Sequence, residues 1–138
     1  GNPGGSEAAL AAAIAHHGLG ASVRLLSGVS GDDLRAMYHL ADLLLFPSAY
    51  EGFGIPLLEA MASGTPVACS NTTSLPEVSG QAAWLFDPRN VLQMAQAVID
   101  MCRSTLRDER CLLGQRHARA SFHPEVVTAQ ARQFWQAI

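Results

Sequence analysis

Two glutamates, Glu51 and Glu59, stand eight positions apart, with a glycine-containing segment between them. An apolar run at 43–47 predicts a buried strand, and a turn at 51–54 leads into a helical pattern over about 55–63. The glycines permit a tight turn, and the first N–H groups of a helix have no partner inside it. The order of strand, glycine turn and helix therefore predicts a phosphate site, held by backbone amides and the helix dipole.

The two carboxylates cannot be the phosphate ligands, because like charges repel each other in a partly desolvated pocket. Helical spacing places Glu59 one turn into the helix, on the same face as its start at Ile55, whereas Glu51 lies just before the helix. Each carboxylate has two acceptor oxygens, which suit a pair of neighbouring hydroxyl groups. Two such groups beside a phosphate site predict a ligand with sugars on both sides of its phosphates, namely a nucleoside diphosphate sugar.

The composition predicts one globular domain. The chain has 138 residues, of which 49% are hydrophobic and 15% charged, and its net charge of −3 gives no electrostatic argument for binding nucleic acid. No apolar stretch is long enough to span a bilayer, and the first residues lack the charged region of a signal peptide. The three cysteines lack close spacing and indicate reduced thiols, with Cys69 in the core. We therefore expect a cytoplasmic protein.

Helical and extended patterns alternate along the chain. The predicted helices lie at about 6–17, 30–40, 55–63, 75–79, 90–102, 105–120 and 125–137, and the predicted strands at 23–26, 43–47, 66–70 and 83–86. This alternation predicts an α/β fold, with a parallel sheet that carries helices on both faces. Loops at 27–31, 48–54 and 71–75 follow strands and are expected at the sheet edge where ligands bind.

The segment from Glu51 to Val67, EGFGIPLLEAMASGTPV, closely resembles the E-x7-E region of the retaining glycosyltransferases of family 4, the group 1 enzymes with the GT-B fold. The flanking segments DDLRAMYHLADLLLFPS and SNTTSLPEVSG agree, and the resemblance extends roughly from Ala21 to the C-terminus. It implies a Rossmann-like domain, the C-terminal half of a GT-B fold. It also implies transfer of a sugar from a nucleotide diphosphate sugar, with retention at the anomeric carbon and without a cofactor.

The resemblance also implies roles for single residues. Glu59 is expected to bind the ribose hydroxyls, and Glu51 to hold the donor sugar, which makes Glu51 the catalytic candidate without naming it a nucleophile. The amides that hold the phosphate are expected in the segment Gly52, Phe53, Gly54 and Ile55. By looser analogy, Gly28 and Val29 lie in a loop that lines the nucleobase pocket.

The resemblance covers only part of a GT-B enzyme. The family's Arg and Lys on the donor diphosphate lie upstream, and none of Arg24, Arg35 or Arg89 matches them. We therefore expect residues 1–138 to form a single partial Rossmann-like domain, inactive alone, whose partner is an absent N-terminal acceptor domain. That domain would decide whether the enzyme is peripheral to the inner face of the membrane. The acceptor, a saccharide, lipid or small molecule, is not predicted.

Three alternatives remain: a GT-B sugar-nucleotide epimerase, a non-catalytic nucleotide-binding module, and a structural α/β domain. An epimerase needs acid and base residues, which the sequence does not single out.

The histidines and cysteines lack the spacing of a metal site, so no metal is assigned. Phe134 and Trp135 on the last helix are expected to pack in the core of this domain, with packing against a partner domain as the alternative.

Overall fold

The computed structural model describes residues 6–136, and the chain divides into two compact units, Gly1–Ser30 and Gly31–Ile138. The first unit contains helix α1 (Ser6–His16), followed by Gly18 with a left-handed φ of 64°. Residues 23–27 have no regular secondary structure, so the predicted strand at 23–26 is wrong. A segment rich in apolar residues forms a strand only where a neighbouring strand pairs with it. Residues 24–27 exchange no backbone hydrogen bond with another described residue.

The second unit contains a parallel sheet with the strand order β1-β2-β3. Its elements, in chain order, are α2 (Gly31–Leu40), β1 (Leu44–Phe46), α3 (Ile55–Ala62), β2 (Val67–Ser70), α4 (Leu75–Ser79), β3 (Trp84–Phe86), α5 (Val91–Arg103), α6 (Arg107–Phe122) and α7 (Pro124–Gln136). Leu44 pairs with Val67, and Ala68 pairs with Trp84. These bounds agree with the predicted elements to within a few residues.

Apolar side chains cover both faces of the sheet. All four residues of the central strand β2 are buried, and the first three alternate between two apolar clusters. Val67 and Cys69 pack with residues of α3, α4 and α6, whereas Ala68 packs with Phe86 and with residues of α5. The predicted α/β fold, a parallel sheet with helices on both faces, is confirmed, as is the core position of Cys69.

Helix α3 ends just before Gly64. Its φ of 79° is left-handed, its N–H donates to the carbonyl of Met61, and the N–H of Thr65 donates to the carbonyl of Ala60. This pair of bonds is the Schellman arrangement, which satisfies carbonyls at a helix end. The length of α3 is thereby set, and with it the position of Glu59 within the helix.

The last two helices differ in how they pack. A Cβ added to Gly114 of α6 would lie 3.2 Å from the Cγ atom of Met61, so α6 approaches α3 closely. Trp135 of α7 is 73% exposed, so the expectation that it packs in the core is wrong, and the side chain of Phe134 lies outside the described residues. Over residues 6–136, no helix combines the length and the apolar character needed to cross a membrane.

Candidate functional site

The glycine turn, residues 51–55, lies between the carboxyl end of β1 and the start of α3. Hydroxyl groups of the loop after β2 hold it in place. The N–H of Glu51 donates to Thr73 Oγ1 at 3.3 Å, and the Ser74 hydroxyl lies 3.3 Å from the carbonyl of Glu51 and 3.2 Å from that of Phe53. Because β1 and β2 are parallel neighbours, the two loops share the sheet edge at which α/β proteins bind ligands.

Thr73 has an unusual backbone conformation. Its φ of 53° is positive, which is rare for a β-branched residue and costs free energy. Such strain persists where surrounding contacts determine the geometry, and here Thr73 Oγ1 accepts the hydrogen bond from Glu51. Hydrogen bonds from Thr73 and Ser74 therefore connect the two loops.

Gly54 shapes the turn. It is buried at the N-cap position of α3 with a φ of 94°, and a Cβ atom there would lie 2.7 Å from Leu75 Cδ2. Only glycine accepts both the left-handed backbone and this close approach. Among residues 6–136, no group accepts a hydrogen bond from the amides of Phe53, Gly54 or Ile55. Three consecutive backbone donors are thus available at the positive end of the α3 dipole.

Glu59 lies one helical turn further along α3, and its side chain is exposed. The hydroxyl of Tyr38 in α2 donates to Glu59 Oε2 at 3.2 Å, whereas Oε1 has no partner among the described residues. Burial of Tyr38, together with the charge of Glu59 and this hydrogen bond, raises the pKa of the tyrosine to about 12. Tyr38 therefore remains a protonated donor at neutral pH.

Grooves open on both sides of Glu59. One, of about 510 Å³, runs between α2 and α3 and includes Arg35, Tyr38 and Ser63 in its lining. The other, of about 630 Å³, runs between α3 and the α6–α7 junction and includes Arg116 and Phe122. The Glu59 carboxylate can therefore meet a ligand of nucleotide size.

The family of the chain follows from comparison with known proteins. The family model for glycosyl transferases group 1 matches residues 3–115. The chain belongs to this family. The MMP alpha-(1->4)-mannosyltransferase of Mycolicibacterium hassiacum is 38% identical over 122 residues, which are 85% of this chain and 29% of that protein. The O-antigen chain mannosyltransferase B of Escherichia coli is 52% identical over 69 residues, 50% of this chain and 18% of that protein.

A solved structure shares the fold of this group 1 glycosyl transferase chain. The sucrose-phosphate synthase of Thermosynechococcus elongatus matches with a TM-score of 0.87 and 24% sequence identity, over 99% of this chain and 35% of that one. Because the two sequences are only 24% identical, this match shows a shared fold and nothing about activity. The chain spans between 18% and 35% of the lengths of these three proteins. The predicted family and the Rossmann-like α/β fold are confirmed.

The structure of the group 1 glycosyl transferase chain brings most of the predicted site residues together. Glu51 is half-buried, and its carboxylate accepts no hydrogen bond from a described residue. Gly52, Phe53, Gly54 and Ile55 follow it in the same turn, all exposed except Gly54. Gly28, with a φ of 65°, and the exposed Val29 lie in the first unit. Their place in a nucleobase pocket stays a prediction.

Sequence reasoning missed the groups that support the site. Tyr38 lies in α2, whose apolar positions indicate only a packed helix face, although a buried tyrosine normally finds a partner for its hydroxyl. Thr73 and Ser74 form part of a run of hydroxyl residues after β2, which could have suggested bonds to the neighbouring loop. Residues 6–136 contain no group of three or more His, Cys, Asp or Glu side chains that could hold a metal ion.

Proposed function

We propose that this chain is the donor-binding part of a retaining glycosyltransferase, which moves a sugar from a nucleotide diphosphate sugar to an acceptor. The observation that carries the proposal is the glycine turn, whose amides at Phe53, Gly54 and Ile55 lack acceptors one helical turn before a carboxylate with a free oxygen. Membership of the group 1 family and the printed names of its relatives support transfer rather than epimerisation or a purely structural role.

The backbone amides of the glycine turn would receive the phosphate next to the donor sugar. As the bond between the anomeric carbon and the phosphate oxygen breaks, negative charge grows on the leaving diphosphate. Amides that are already fixed in place stabilise this charge without reorganising, and the dipole of α3 adds to the effect. The acceptor hydroxyl would form the new bond to the anomeric carbon, and its proton would pass to the leaving diphosphate or to solvent.

The two glutamates would bind hydroxyl groups at opposite ends of the donor. Glu59 would accept hydrogen bonds from the ribose, because Oε1 is free and a carboxylate suits a vicinal diol. Glu51 would face the donor sugar, since its backbone is fixed by Thr73 and Ser74 while its carboxylate is unpaired among the described residues. We assign Glu51 to donor binding in the catalytic centre and not to nucleophilic attack.

The donor sugar, the nucleobase and the acceptor are assigned only by class. Both curated relatives described above are named mannosyltransferases, so nucleoside diphosphate mannose is the first donor to test. Gly28 and Val29 would line the base pocket. An N-terminal domain of the same protein would bind the acceptor, a saccharide, lipid or small molecule, and would decide whether the cytoplasmic enzyme lies at the membrane.

Substitution of Glu59 by glutamine tests the proposal in the full-length protein that contains this chain. The amide keeps an acceptor oxygen but loses the charge, and a hydrogen bond to a charged group contributes roughly 1.5 to 3 kcal/mol. We expect Glu59→Gln to weaken binding of the uridine, guanosine or adenosine diphosphate that binds the wild type at least tenfold, about 1.4 kcal/mol. Calorimetric titration measures the change.

Glu109→Gln is the matched control for this experiment. Glu109 is an exposed glutamate in the first turn of α6, two residues after Arg107. Arg107 forms an ion pair with Asp42, which comes just before β1. Glu109 therefore lies at the end of the sheet opposite the glycine turn. We expect its substitution to leave nucleotide affinity unchanged. Equal affinities of wild type and Glu59→Gln would remove Glu59 from the site and contradict the proposed function.

A further inference from the structure

The contact between Tyr38 and Glu59 joins two helices at the proposed ribose site. The two residues are 21 positions apart in the chain, and the tyrosine hydroxyl reaches Glu59 Oε2 at 3.2 Å. The hydroxyl engages one carboxylate oxygen and leaves the other without a partner among the residues described. The bond thus divides the carboxylate into one oxygen that is held and one that is open to a ligand.

Tyr38 is itself firmly placed. Its side chain is 8% exposed and packs in the cluster that contains Leu57, Ala60 and Met61 of α3. Its carbonyl accepts a hydrogen bond of 2.5 Å from the hydroxyl of Thr65, just beyond the end of α3. The ring and the backbone carbonyl of Tyr38 are therefore both held relative to α3. Glu59, in contrast, is an exposed side chain with several rotatable bonds.

We infer that Tyr38 is a positioning residue, whose hydroxyl holds the Glu59 carboxylate so that the free oxygen faces the ribose hydroxyls of the donor. This inference rests on the proposed function. A side chain held before binding loses less freedom when the ligand arrives, so the complex is tighter. The raised pKa of Tyr38 is consistent with the arrangement, since the hydroxyl stays protonated and donates at neutral pH.

A double-mutant cycle in the full-length protein tests the inference. The four proteins are the wild type, Tyr38→Phe, Glu59→Gln and the double variant, each titrated with the nucleoside diphosphate that binds the wild type and with its 2′,3′-dideoxy form. Tyr38→Phe keeps the ring and its packing but removes the donor. We expect it to weaken binding of the nucleoside diphosphate about threefold to tenfold.

The dideoxy ligand separates positioning from a general structural effect. It offers Glu59 no ribose hydroxyls, so Tyr38→Phe should leave its affinity unchanged, and the effect of Tyr38→Phe should shrink in the Glu59→Gln background. A loss that is equal for both ligands would overturn the inference and make Tyr38 a packing residue.

The remaining outcomes distinguish this inference from the proposed function. If Glu59→Gln weakens binding but Tyr38→Phe does not, the inference is wrong and the proposed function stands. If Glu59→Gln binds as the wild type does, the proposed function fails and the inference fails with it. Unfolding midpoints of all four proteins show whether any loss of affinity comes from loss of folded protein.

Discussion

Gly54 determines the shape of the glycine turn. We expect Gly54→Ala to lower the free energy of unfolding by about 1 to 3 kcal/mol, because alanine is strained at a φ of 94° and its Cβ would meet the buried Leu75 side chain. Nucleoside diphosphate binding should weaken at least tenfold, since the amides on either side of the residue move. Denaturant unfolding and calorimetric titration of the full-length protein measure the two effects.

Gly64→Ala provides the contrast, because it changes a glycine at the other end of the same helix. Its φ of 79° also disfavours alanine, at a cost of about 1 kcal/mol or more. The Cβ atom would meet only the amide of Gln115, an exposed side chain that can move away. Stability should therefore fall while nucleotide affinity stays the same. An unchanged unfolding midpoint would be inconsistent with the left-handed helix end.

The pKa of Tyr38 gives a prediction in alkaline solution. It is raised from 10.0 to about 12, chiefly by burial and then by Glu59, so the folded state binds the proton more tightly than the unfolded state. The contribution to stability is complete below pH 10 and is lost as the pH rises towards 12. Tyrosinate absorbance, compared between wild type and Tyr38→Phe, locates the titration. Glu59→Gln should lower the pKa of Tyr38, and an unaltered pKa would contradict the pairing.

Three aromatic rings connect the end of α6 to the glycine turn. Phe122 packs edge-to-face against Phe53, with ring centroids 5.6 Å apart, and against His117, at 5.5 Å. Phe122 also packs on the core cluster beneath α3 and α4. The last residue of α6 thus supports the exposed ring of the turn that would hold the donor phosphate.

We expect Phe122→Ala to reduce the free energy of unfolding by about 2 kcal/mol or more, through lost packing of a half-buried ring. Hydrogen exchange in a peptide covering residues 48–54 should become faster, because Phe53 loses its neighbour. Phe122→Leu is the matched variant, since it keeps apolar volume but removes the ring, and it should cost less stability while still loosening the turn. Unchanged exchange in both variants would show that the turn does not depend on α6.

The helices and strands of the second unit could be predicted from the sequence, because apolar periodicity and the residues that begin or end a helix are local features of the chain. Asn90 caps α5 by accepting a hydrogen bond from the N–H of Gln93 at 3.1 Å, and Gly64 ends α3. Asparagine before a helical pattern and glycine after one are residue types that favour these positions. Local sequence features could not show whether residues 23–26 form a strand, since a strand depends on a neighbouring strand that pairs with it. The Tyr38–Glu59 bond was equally inaccessible, because which side chain a buried hydroxyl reaches depends on how two helices pack.

The chain spans only 18% to 35% of the length of the two mannosyltransferases and the sucrose-phosphate synthase, so we expect sugar transfer to need more of the protein than these residues. The resemblance also implies that cationic groups for the leaving diphosphate, an Arg and a Lys, lie upstream of the region that it covers. We predict that the 138-residue chain alone turns over no nucleotide sugar. Turnover above that of a Glu51→Ala control would contradict this expectation.

A crystal structure of the full-length protein with its nucleoside diphosphate bound would show where the donor lies. Our prediction is a phosphate oxygen within hydrogen-bond distance of the amides of the glycine turn, and ribose hydroxyls on the Glu59 carboxylate beside an intact Tyr38 contact. A nucleotide bound with its phosphates elsewhere, for example on Arg116 in the groove between α3 and α6, would contradict it.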